Sequence, residues 1–184
     1  MTESCENLVR LATKGDVRAF DALVSLHQDR VYALAYRMLG DAEDAADVQQ
    51  ETFLQAWRNL RKFRGEAEFS TWLHRITVNL CLSRKRRNEI ASEPLDDHAL
   101  VYSTEPGPVA CLERTETIAT VRRVLDAMPA HYRLLIVLRD MEGRSYEETA
   151  GILRCSIESV RTRLHKARKL LREKMRPYIE EENA

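Results

Sequence analysis

Residues 89–112 interrupt a sequence that otherwise follows the spacing of amphipathic helices. This segment carries three prolines and five carboxylates but no lysine or arginine. Proline cannot donate a backbone hydrogen bond, and a surplus of like charge opposes packing, so this composition is typical of a linker. The segment therefore predicts two small helical domains, residues 1–88 and residues 113–184, with separate interiors and a flexible acidic linker between them.

The composition of the 184-residue chain favours an all-α fold. Hydrophobic residues make up 44% of the chain, which is enough for packed cores. The 32% of charged residues and the presence of only six glycines favour solvated helices over tight-turned sheets. Lysine plus arginine and aspartate plus glutamate are equal at 29 each, so any strong local charge reflects placement along the chain.

Membrane spans, metal sites and cofactors are not expected. No stretch approaches the roughly 20 apolar residues of a membrane span, and the N-terminus lacks a basic region followed by an apolar one, so we predict a cytoplasmic protein. The four cysteines are scattered without a C-x-x-C pair, which disfavours a zinc knuckle or a disulfide framework. The five histidines stand alone, outside any H-E-x-x-H, Gly-rich phosphate-loop or G-x-S-x-G motif, so we expect no enzyme activity.

The first half predicts three helices. Apolar residues recur with three-or-four spacing over residues 20–38, with a gap at His27, and Gly40 ends this helix. Asp41 is the predicted N-cap of a second helix over residues 41–60. The predicted buried side of this helix comprises Ala46, Gln49 or Gln50, Phe53, Trp57 and Leu60. A third helix, capped by Ser70 or Thr71, is expected to end near residue 88.

The second half predicts a helix-turn-helix. Pro129 is expected in the first turn of one helix and Gly143 at its end. Ser145 and Glu148 form a predicted capping box for the short helix YEETAGIL. A three-residue turn at 154–156 then leads into the last helix, which is the layout of many DNA-binding proteins.

The last helix concentrates positive charge. Residues 157–176 hold eight lysines and arginines against two glutamates. Helical geometry directs a polar set outward: Glu158, Ser159, Arg161, Thr162, His165, Lys166, Arg168 and Lys169. Such side chains can read base edges in the major groove while the basic ones neutralise phosphates. The alternative is a basic helix that is merely solvated or binds a protein, but the capped short helix and the three-residue turn favour DNA.

Aromatic and basic residues surround a glycine-containing loop in the first half. They are Phe63, Arg64, Phe69, Trp72, Arg75 and the basic run at 84–87. Aromatic rings beside a basic track suit unpaired bases, because stacking contributes about 1–3 kcal/mol per base whatever the sequence. Phe69 and Trp72 could equally belong to the core, which makes Phe63 the better candidate.

The second helix has an acidic face that also carries one leucine. This side holds Asp44, Asp47, Glu51, Leu54, Gln55 and Arg58, opposite Phe53 and Trp57. A solvated surface would explain the charges. A partner helix would explain Leu54 better, and both interpretations stay open on the sequence.

The order of these parts resembles that of the extracytoplasmic-function sigma factors of group 4, the two-domain subunits that direct bacterial RNA polymerase to promoters. The similarity rests on GDAEDAADVQQETFLQAWRNLRKFRG and FSTWLHRITVN in the first half, and on MPAHYRLLIVLRDMEGRSYEETAGILRCSIESVRTRLHKARKLLRE in the second. It implies an all-α protein that binds core RNA polymerase and promoter DNA, both as duplex and as melted strand. It also implies a role in a stress or envelope response and an anti-sigma factor as partner.

The resemblance further implies roles for individual residues. The polymerase-binding positions are Asp47, Gln50, Glu51, Phe53 and Leu54. The positions for the start-proximal promoter element and for melting are Phe63, Arg64, Gly65, Trp72, Asn79, Arg84 and Arg86. The positions for the upstream element are Ser159, Arg161, Thr162, His165 and Lys166, in agreement with the outward face obtained from helical geometry. The acidic linker would run through the polymerase toward its RNA path.

Several residues depart from the pattern of many relatives. Arg154 stands where glycine or asparagine is common, Ser156 and Glu158 stand where proline and glycine are common, and Gln49 replaces an apolar residue. Two other functions remain open on the sequence. One is an autonomous helix-turn-helix regulator whose N-terminal helices sense a ligand or form a dimer, and the other is a helical adaptor without a nucleic-acid role.

Overall fold

The computed structural model describes residues 2–91 and 109–182, and within these ranges it contains eight α-helices and no β-strand. The helices are α1 (Thr2–Thr13), α2 (Val17–Leu39), α3 (Ala42–Asn59), α4 (Phe69–Ala91), α5 (Val109–Asp126), α6 (Ala130–Ile136), α7 (Tyr146–Leu153) and α8 (Ile157–Glu182). A 3-10 turn at Leu60–Lys62 follows α3, and a π-helical segment at Val137–Met141 continues α6. The predicted all-α class with two helical regions is confirmed.

Local chemistry fixes the junction between α2 and α3. Gly40 has a φ of 81° in the left-handed region, which costs glycine little, and its N–H donates to the carbonyl of Tyr36 at 2.9 Å. The next residue, Asp41, accepts from the N–H of Asp44 at 2.8 Å. The predicted stop at Gly40 and the predicted N-cap at Asp41 are therefore both confirmed.

Two helices of the first region differ from the sequence prediction. Helix α1 was not predicted, and α4 starts earlier than predicted. Because Phe69 already begins α4, neither Ser70 nor Thr71 caps that helix, and the N–H of Trp72 donates to the carbonyl of Glu68 at 3.0 Å. The predicted start of this helix, residue 71 or 72, is therefore two to three residues too late.

The buried side of α3 is also rotated from the predicted one. It comprises Ala45, Val48, Thr52, Phe53 and Ala56, whereas Ala46 is exposed and Trp57 is 37% exposed. The reason is that α3 packs against both α2 and α4, so small residues occupy the two lines of close approach. Of the predicted stripe, Phe53 and Leu60 are buried as expected.

The second region begins with α5 and ends with the helix-turn-helix. Pro129 is the residue before α6 rather than a member of its first turn, and the π-helical segment carries the chain to a turn at Gly143, whose φ is 67°. In this region Leu125, Met128, Leu135, Ile136, Ala150, Val160, Leu164 and Ala167 form one buried cluster. The short α7 is thereby held against α8 by packing.

The helices extend into both ends of the predicted linker. Helix α4 runs to Ala91 and α5 starts at Val109, so residues 89–91 and 109–112 are helical where a linker over 89–112 was predicted. The rest of that predicted linker, residues 92–108, lies outside the described residues. Three of the four cysteines, Cys5, Cys81 and Cys155, are free thiols, and burial raises the pKa of Cys81 to about 12.

The two helical regions share a hydrophobic cluster, whereas the sequence predicted separate interiors. The cluster combines Leu34, Ala35, Met38, Ala45, Val48, Val78 and Cys81 of the first region with Leu134, Val137, Leu138 and Ile152 of the second. The sequence prediction was wrong on this point because an apolar helix face does not specify which other element covers it.

A buried arginine joins the two regions. The side chain of Arg133 on α6 is almost completely inaccessible and donates from Nε to the carbonyl of Leu125 and from Nη1 to the carbonyl of Met38, both at 2.7 Å. Its Nη1 also lies 2.7 Å from Oδ1 of Asp126. A guanidinium can be buried at tolerable cost only when its donors are paired, and one of these pairs crosses between the regions.

A second polar contact between the regions surrounds His74 of α4. Its Nδ1 donates to the carbonyl of Ser70 at 2.7 Å, and its Nε2 accepts from Nη2 of Arg144 at 2.9 Å. This pattern places the ring proton on Nδ1. Nearby, Arg75 donates from Nε to the carbonyl of Gly151 at the end of α7, at 2.8 Å. The side of α4 that carries these residues is therefore covered by the second region.

Candidate nucleic-acid and protein interfaces

The turn between α7 and α8 has the predicted length of three residues. The predicted capping box is confirmed, because Ser145 Oγ accepts from the N–H of Glu148 at 3.0 Å and Glu148 Oε2 accepts from the N–H of Ser145 at 2.7 Å. Arg154 ends α7 with a φ of 51° and a ψ of 48°, in the left-handed region. Ser156 then accepts from the N–H of Ser159 at 3.2 Å, which caps the start of α8.

Helix α8 presents the predicted face to the outside. Its inner residues Val160, Leu164 and Ala167 are buried, while Ile157 and Leu171 are half-buried. The predicted upstream-element residues lie on the other side: Arg161, Thr162, His165 and Lys166 are exposed, and Ser159 is half-buried. None of the four exposed side chains is packed into the interior, so the structure leaves this face accessible to duplex DNA.

Arg161 is positioned by an aromatic ring of the preceding helix. Its guanidinium carbon lies 5.5 Å from the ring centroid of Tyr146, which also holds Arg139 at 4.2 Å. Nη1 of Arg161 is 3.8 Å from Oε2 of Glu158, and both side chains are largely exposed. Such an exposed ion pair is weak, so Glu158 does not prevent Arg161 from exchanging it for a base or a phosphate.

The aromatic residues near the loop form a connected group. The ring centroids of Phe63 and Trp72 are 5.1 Å apart, and Phe69 lies 6.0 Å from Phe63 and 5.7 Å from Trp72. Phe69 is buried and belongs to the core, whereas Phe63 and Trp72 are half-buried. Gly65 allows the sharp turn with a φ of 71°. Phe63 is therefore the ring of this group that the loop itself carries at the surface.

Asn79 is exposed on α4, but it does not line the cleft beside the aromatic loop. That cleft is lined by Phe63, Arg64 and Gly65 together with residues of α1 and α2. The structure thus brings together the three loop residues predicted for the start-proximal element. It leaves Asn79 outside their cleft.

An apolar groove of about 430 Å³ runs between α2 and α3. Gln50, Phe53 and Leu54, three of the five predicted polymerase-binding residues, line it together with Phe20 and Trp57. Leu54 is 43% exposed although it is apolar, whereas the preceding residue, Phe53, is buried. An exposed apolar groove of this kind is typical of a surface that receives a partner.

The remaining two polymerase-binding predictions lie on the acidic side of α3. Asp47 is exposed and Glu51 is half-buried, where Glu51 accepts from Nε2 of Gln55 at 3.0 Å. Arg84 of α4 donates to Asp44 at 2.9 Å and to Asp47 at 3.2 Å. The hydrogen bond to Asp44 is the main reason that the pKa of Arg84 is raised. A residue predicted for DNA is thus paired with one predicted for the polymerase, while Arg86 is exposed.

The family comparisons match both regions of the chain. The Sigma-70 region 2 family matches residues 23–90, and the Sigma-70 region 4 family matches residues 118–171. The chain is 35% identical to the RNA polymerase sigma-H factor of Pseudomonas aeruginosa over 97% of both chains. It is 33% identical to the ECF RNA polymerase sigma factor SigW of Bacillus subtilis, over 91% of this chain and 95% of the relative.

This chain is an extracytoplasmic-function sigma factor. Solved structures agree with the assignment: a complex of CnrH with the cytosolic domain of CnrY contains a chain that is 30% identical, with a TM-score of 0.66 over 91% of this sigma factor and 94% of that chain. The sigma factor RpoE of Bartonella quintana, solved with the anti-sigma factor NepR, has the same TM-score at 24% identity and supports the fold.

The sigma factor also has features that sequence reasoning missed. The missed helix α1 forms one wall of the cleft beside Phe63, and His27, which was treated as a gap in an apolar stripe, is buried in the same cleft. The signal for α1 was present in the helical spacing of Cys5, Leu8, Val9 and Ala12, all of which pack in or against one core cluster, and in Gly15 just after the helix. For His27, only its helical register with the buried Leu23 and Val31 could have indicated burial.

Proposed function

We propose that this group 4 sigma factor binds core RNA polymerase through α3, places α8 in the major groove of the upstream promoter element, and holds a melted strand at the loop of residues 63–65. The exposed polar face of α8 carries this proposal, because Arg161, Thr162, His165 and Lys166 remain outside although the opposite face is packed. Counterion release at the phosphates would supply affinity, and base contacts would supply selectivity.

The proposed binding roles are divided between the two matched regions. Residues 1–88 would contact the polymerase and the start-proximal element, and residues 113–184 the upstream element, with the acidic segment 89–112 between them. The groove at Gln50, Phe53 and Leu54 supports a helical surface of the polymerase as the partner of α3. Asp47 and Glu51 would provide charge complementarity at its edge.

An anti-sigma factor is the further partner that we propose. Two structurally similar complexes, CnrH with the cytosolic domain of CnrY and RpoE with the anti-sigma factor NepR, support this partner class. We accordingly propose regulation in a stress or envelope response. No described helix is long and apolar enough to span a membrane. We place the protein in the cytoplasm, with its polymerase, and assign it no catalytic step of its own.

Run-off transcription with purified core enzyme tests the proposal. Core enzyme with this protein should give promoter-dependent transcripts from a subset of genomic fragments, and core enzyme alone should not. Binding of the free protein, as a dimer, to a two-fold symmetric duplex site with no transcript from any fragment would instead indicate the autonomous regulator. Unchanged function in both Arg161→Ala and Lys166→Ala would indicate the adaptor.

A further inference from the structure

The first turn of α8 places an acidic residue on the face that carries the proposed base contacts. Glu158 is the second residue of α8, and its side chain is 80% exposed. Residues 158, 162 and 165 are four and three positions apart, so they lie on one side of the helix. Val160 lies on the opposite side and is fully buried. Glu158 therefore continues the exposed stripe of Thr162 and His165 by one turn toward the start of α8.

The charge of Glu158 is opposite to that of the rest of this part of the helix. Residues 157–169 contain five lysines and arginines, and Glu158 carries the one carboxylate among them. A carboxylate close to DNA weakens binding to every sequence, because it repels the phosphates. Such a cost is explained if the same carboxylate increases the difference in affinity between one sequence and another.

The first turn of α8 is the part of the helix that reaches deepest into a groove. In a helix-turn-helix, the N-terminal residues of the second helix contact base edges in the major groove. Ser156 accepts from the N–H of Ser159 at 3.2 Å, so α8 is capped and its first turn is regular. The side chain of Glu158 therefore points toward the floor of the groove when α8 is docked through its exposed face.

The four bases differ in what they offer to a carboxylate. An ionised carboxylate can only accept hydrogen bonds. In the major groove cytosine presents the N4 amino donor and no acceptor, guanine presents two acceptors, and thymine presents one acceptor and a methyl group. Adenine has an N6 donor, but its N7 acceptor lies beside it. A carboxylate at the groove floor therefore favours cytosine and disfavours guanine and thymine.

Arg161 lies next to Glu158 and has the complementary chemistry. Three residues of helix span about 4.5 Å, and base pairs are about 3.4 Å apart, so the two side chains reach neighbouring base pairs. Among the described residues, Glu158 makes one ion pair, with Oε2 3.8 Å from Nη1 of Arg161. An exposed pair at this distance is weak, so both partners can exchange it for bases at little cost.

We propose that the carboxylate of Glu158 reads a cytosine of the upstream promoter element, by accepting a hydrogen bond from the N4 amino group beside the base pair that Arg161 contacts. Any base without a donor at that position leaves the carboxylate desolvated and unpaired, which weakens binding. Glu158 thus determines specificity in addition to the five upstream-element positions already predicted. This inference rests on the proposed promoter function and names one base that the upstream element should contain.

Transcription of a pooled promoter library by reconstituted holoenzyme tests this inference. The starting promoter is one identified by run-off transcription, and each position of its upstream element carries each of the four bases in turn. Transcripts are counted at limiting holoenzyme. With wild-type protein, one position should favour cytosine over guanine and thymine by about tenfold, and over adenine by about threefold.

Two substitutions of Glu158 should change the preference at that one position in different ways. A glutamine side chain matches the N6 donor and N7 acceptor of adenine, so Glu158→Gln should favour adenine over cytosine by about threefold. Glu158→Ala removes the contact, and all four bases should then agree within about twofold. At every other position both variants should keep the wild-type order of bases, which shows that α8 is folded and docked.

A matched control removes the same charge from another turn of α8. The side chain of Glu173 is 52% exposed and lies 3.9 Å from Lys169, so Glu173→Gln also breaks a weak ion pair of this helix. Because residue 173 lies four turns beyond residue 158, this variant should keep the cytosine preference of the wild type.

Three outcomes would overturn the inference. The first is a wild-type library scan in which no position favours cytosine. The second is a cytosine preference that Glu158→Gln leaves unchanged. The third is a change of equal size on every promoter, which would show that the carboxylate acts only on phosphates or on the start of α8. If wild-type holoenzyme gives no promoter-dependent transcript at all, the proposed function fails, and that result is distinct from an active holoenzyme without the cytosine preference.

Discussion

Arg154 has a left-handed backbone conformation that residues other than glycine and asparagine rarely adopt. Its φ of 51° ends α7 and allows its N–H to reach the carbonyls of Ala150 and Gly151. A left-handed conformation costs an L-residue roughly 1–2 kcal/mol. The turn still has the predicted length of three residues. Packing of α7 against α8 therefore outweighs the cost of the left-handed conformation at Arg154, which glycine would adopt without strain.

Arg154→Gly should stabilise the protein by up to about 1 kcal/mol. The substitution removes the left-handed strain, and the greater freedom of glycine in the unfolded chain offsets part of the gain. Arg163→Gly, at an exposed position inside α8, is the matched control and should lose about 1 kcal/mol. Urea unfolding measures both variants, and equal destabilisation by the two substitutions would contradict the structural account of Arg154.

Arg161→Ala should reduce promoter selectivity. If Arg161 makes a bidentate contact to a base, the loss is about 1–3 kcal/mol and is confined to promoters that carry that base. Transcription from a panel of upstream-element variants measures it, with Arg172→Ala as a control at an exposed position farther along α8. A loss of the same size on every promoter would show that Arg161 contacts only phosphates.

At the scale of elements, helix ends with local capping chemistry were predictable, whereas the start of α4 and the buried side of α3 were not. Gly40, Asp41 and the capping box depend on residues within four positions of each other, so their chemistry can be read locally. The inner face of α8 packs against α5, α6 and α7 within one buried cluster, and it was predicted correctly at Val160 and Leu164. Helix α3 lies between two others, so its buried side depends on both and was predicted with a rotation.

Ser145→Ala should destabilise the protein by about 1 kcal/mol, because the N–H of Glu148 loses its acceptor at the start of α7. Ser25→Ala on the exposed surface of α2 is the control and should change the free energy of unfolding by no more than about 0.5 kcal/mol. Urea unfolding at neutral pH measures the difference. If Ser145→Ala is as stable as the wild type, packing alone defines the start of α7.

The same capping box should make the free energy of unfolding depend on pH in the acidic range. The N–H of Ser145 holds the pKa of Glu148 below its usual value of 4.5. Because the folded-state pKa is the lower one, this stabilisation is present above pH 4.5 and is lost as the pH falls through the folded-state value. The urea midpoint of Glu148→Ala should therefore fall less between pH 6 and pH 3 than that of the wild type. Parallel pH profiles would contradict this assignment.

At the scale of the whole molecule, contacts between the two regions define the arrangement. The shared cluster brings Met38 and Val78 against Leu134 and Ile152, and Arg133 donates across the boundary to Met38. Both regions therefore contribute to one continuous core. Hydrogen bonds also join α4 to the second region, from Arg75 to the carbonyl of Gly151 and from Arg144 to His74.

Arg133→Met should both destabilise the protein and loosen the contact between the regions. The substitution leaves the carbonyls of Leu125 and Met38 without their buried donor, at a cost of at least about 2 kcal/mol. Urea unfolding measures the loss, and small-angle X-ray scattering should show a larger radius of gyration. Arg123→Met, on the exposed side of α5, is the control. An unchanged radius with unchanged stability would contradict a bridging role for Arg133.

The sequence by itself determined the helical class, the helix-turn-helix with its capping box, and the outward face at Arg161 and His165. These features depend mainly on residues within about one helical turn of each other, so the local sequence pattern is enough to predict them. Only the tertiary structure decided that the two regions share a core, that Arg84 pairs with Asp47, and that His27 is buried beside the aromatic loop. Those contacts join residues far apart in the chain, and an apolar or charged helix face does not specify which other surface packs against it.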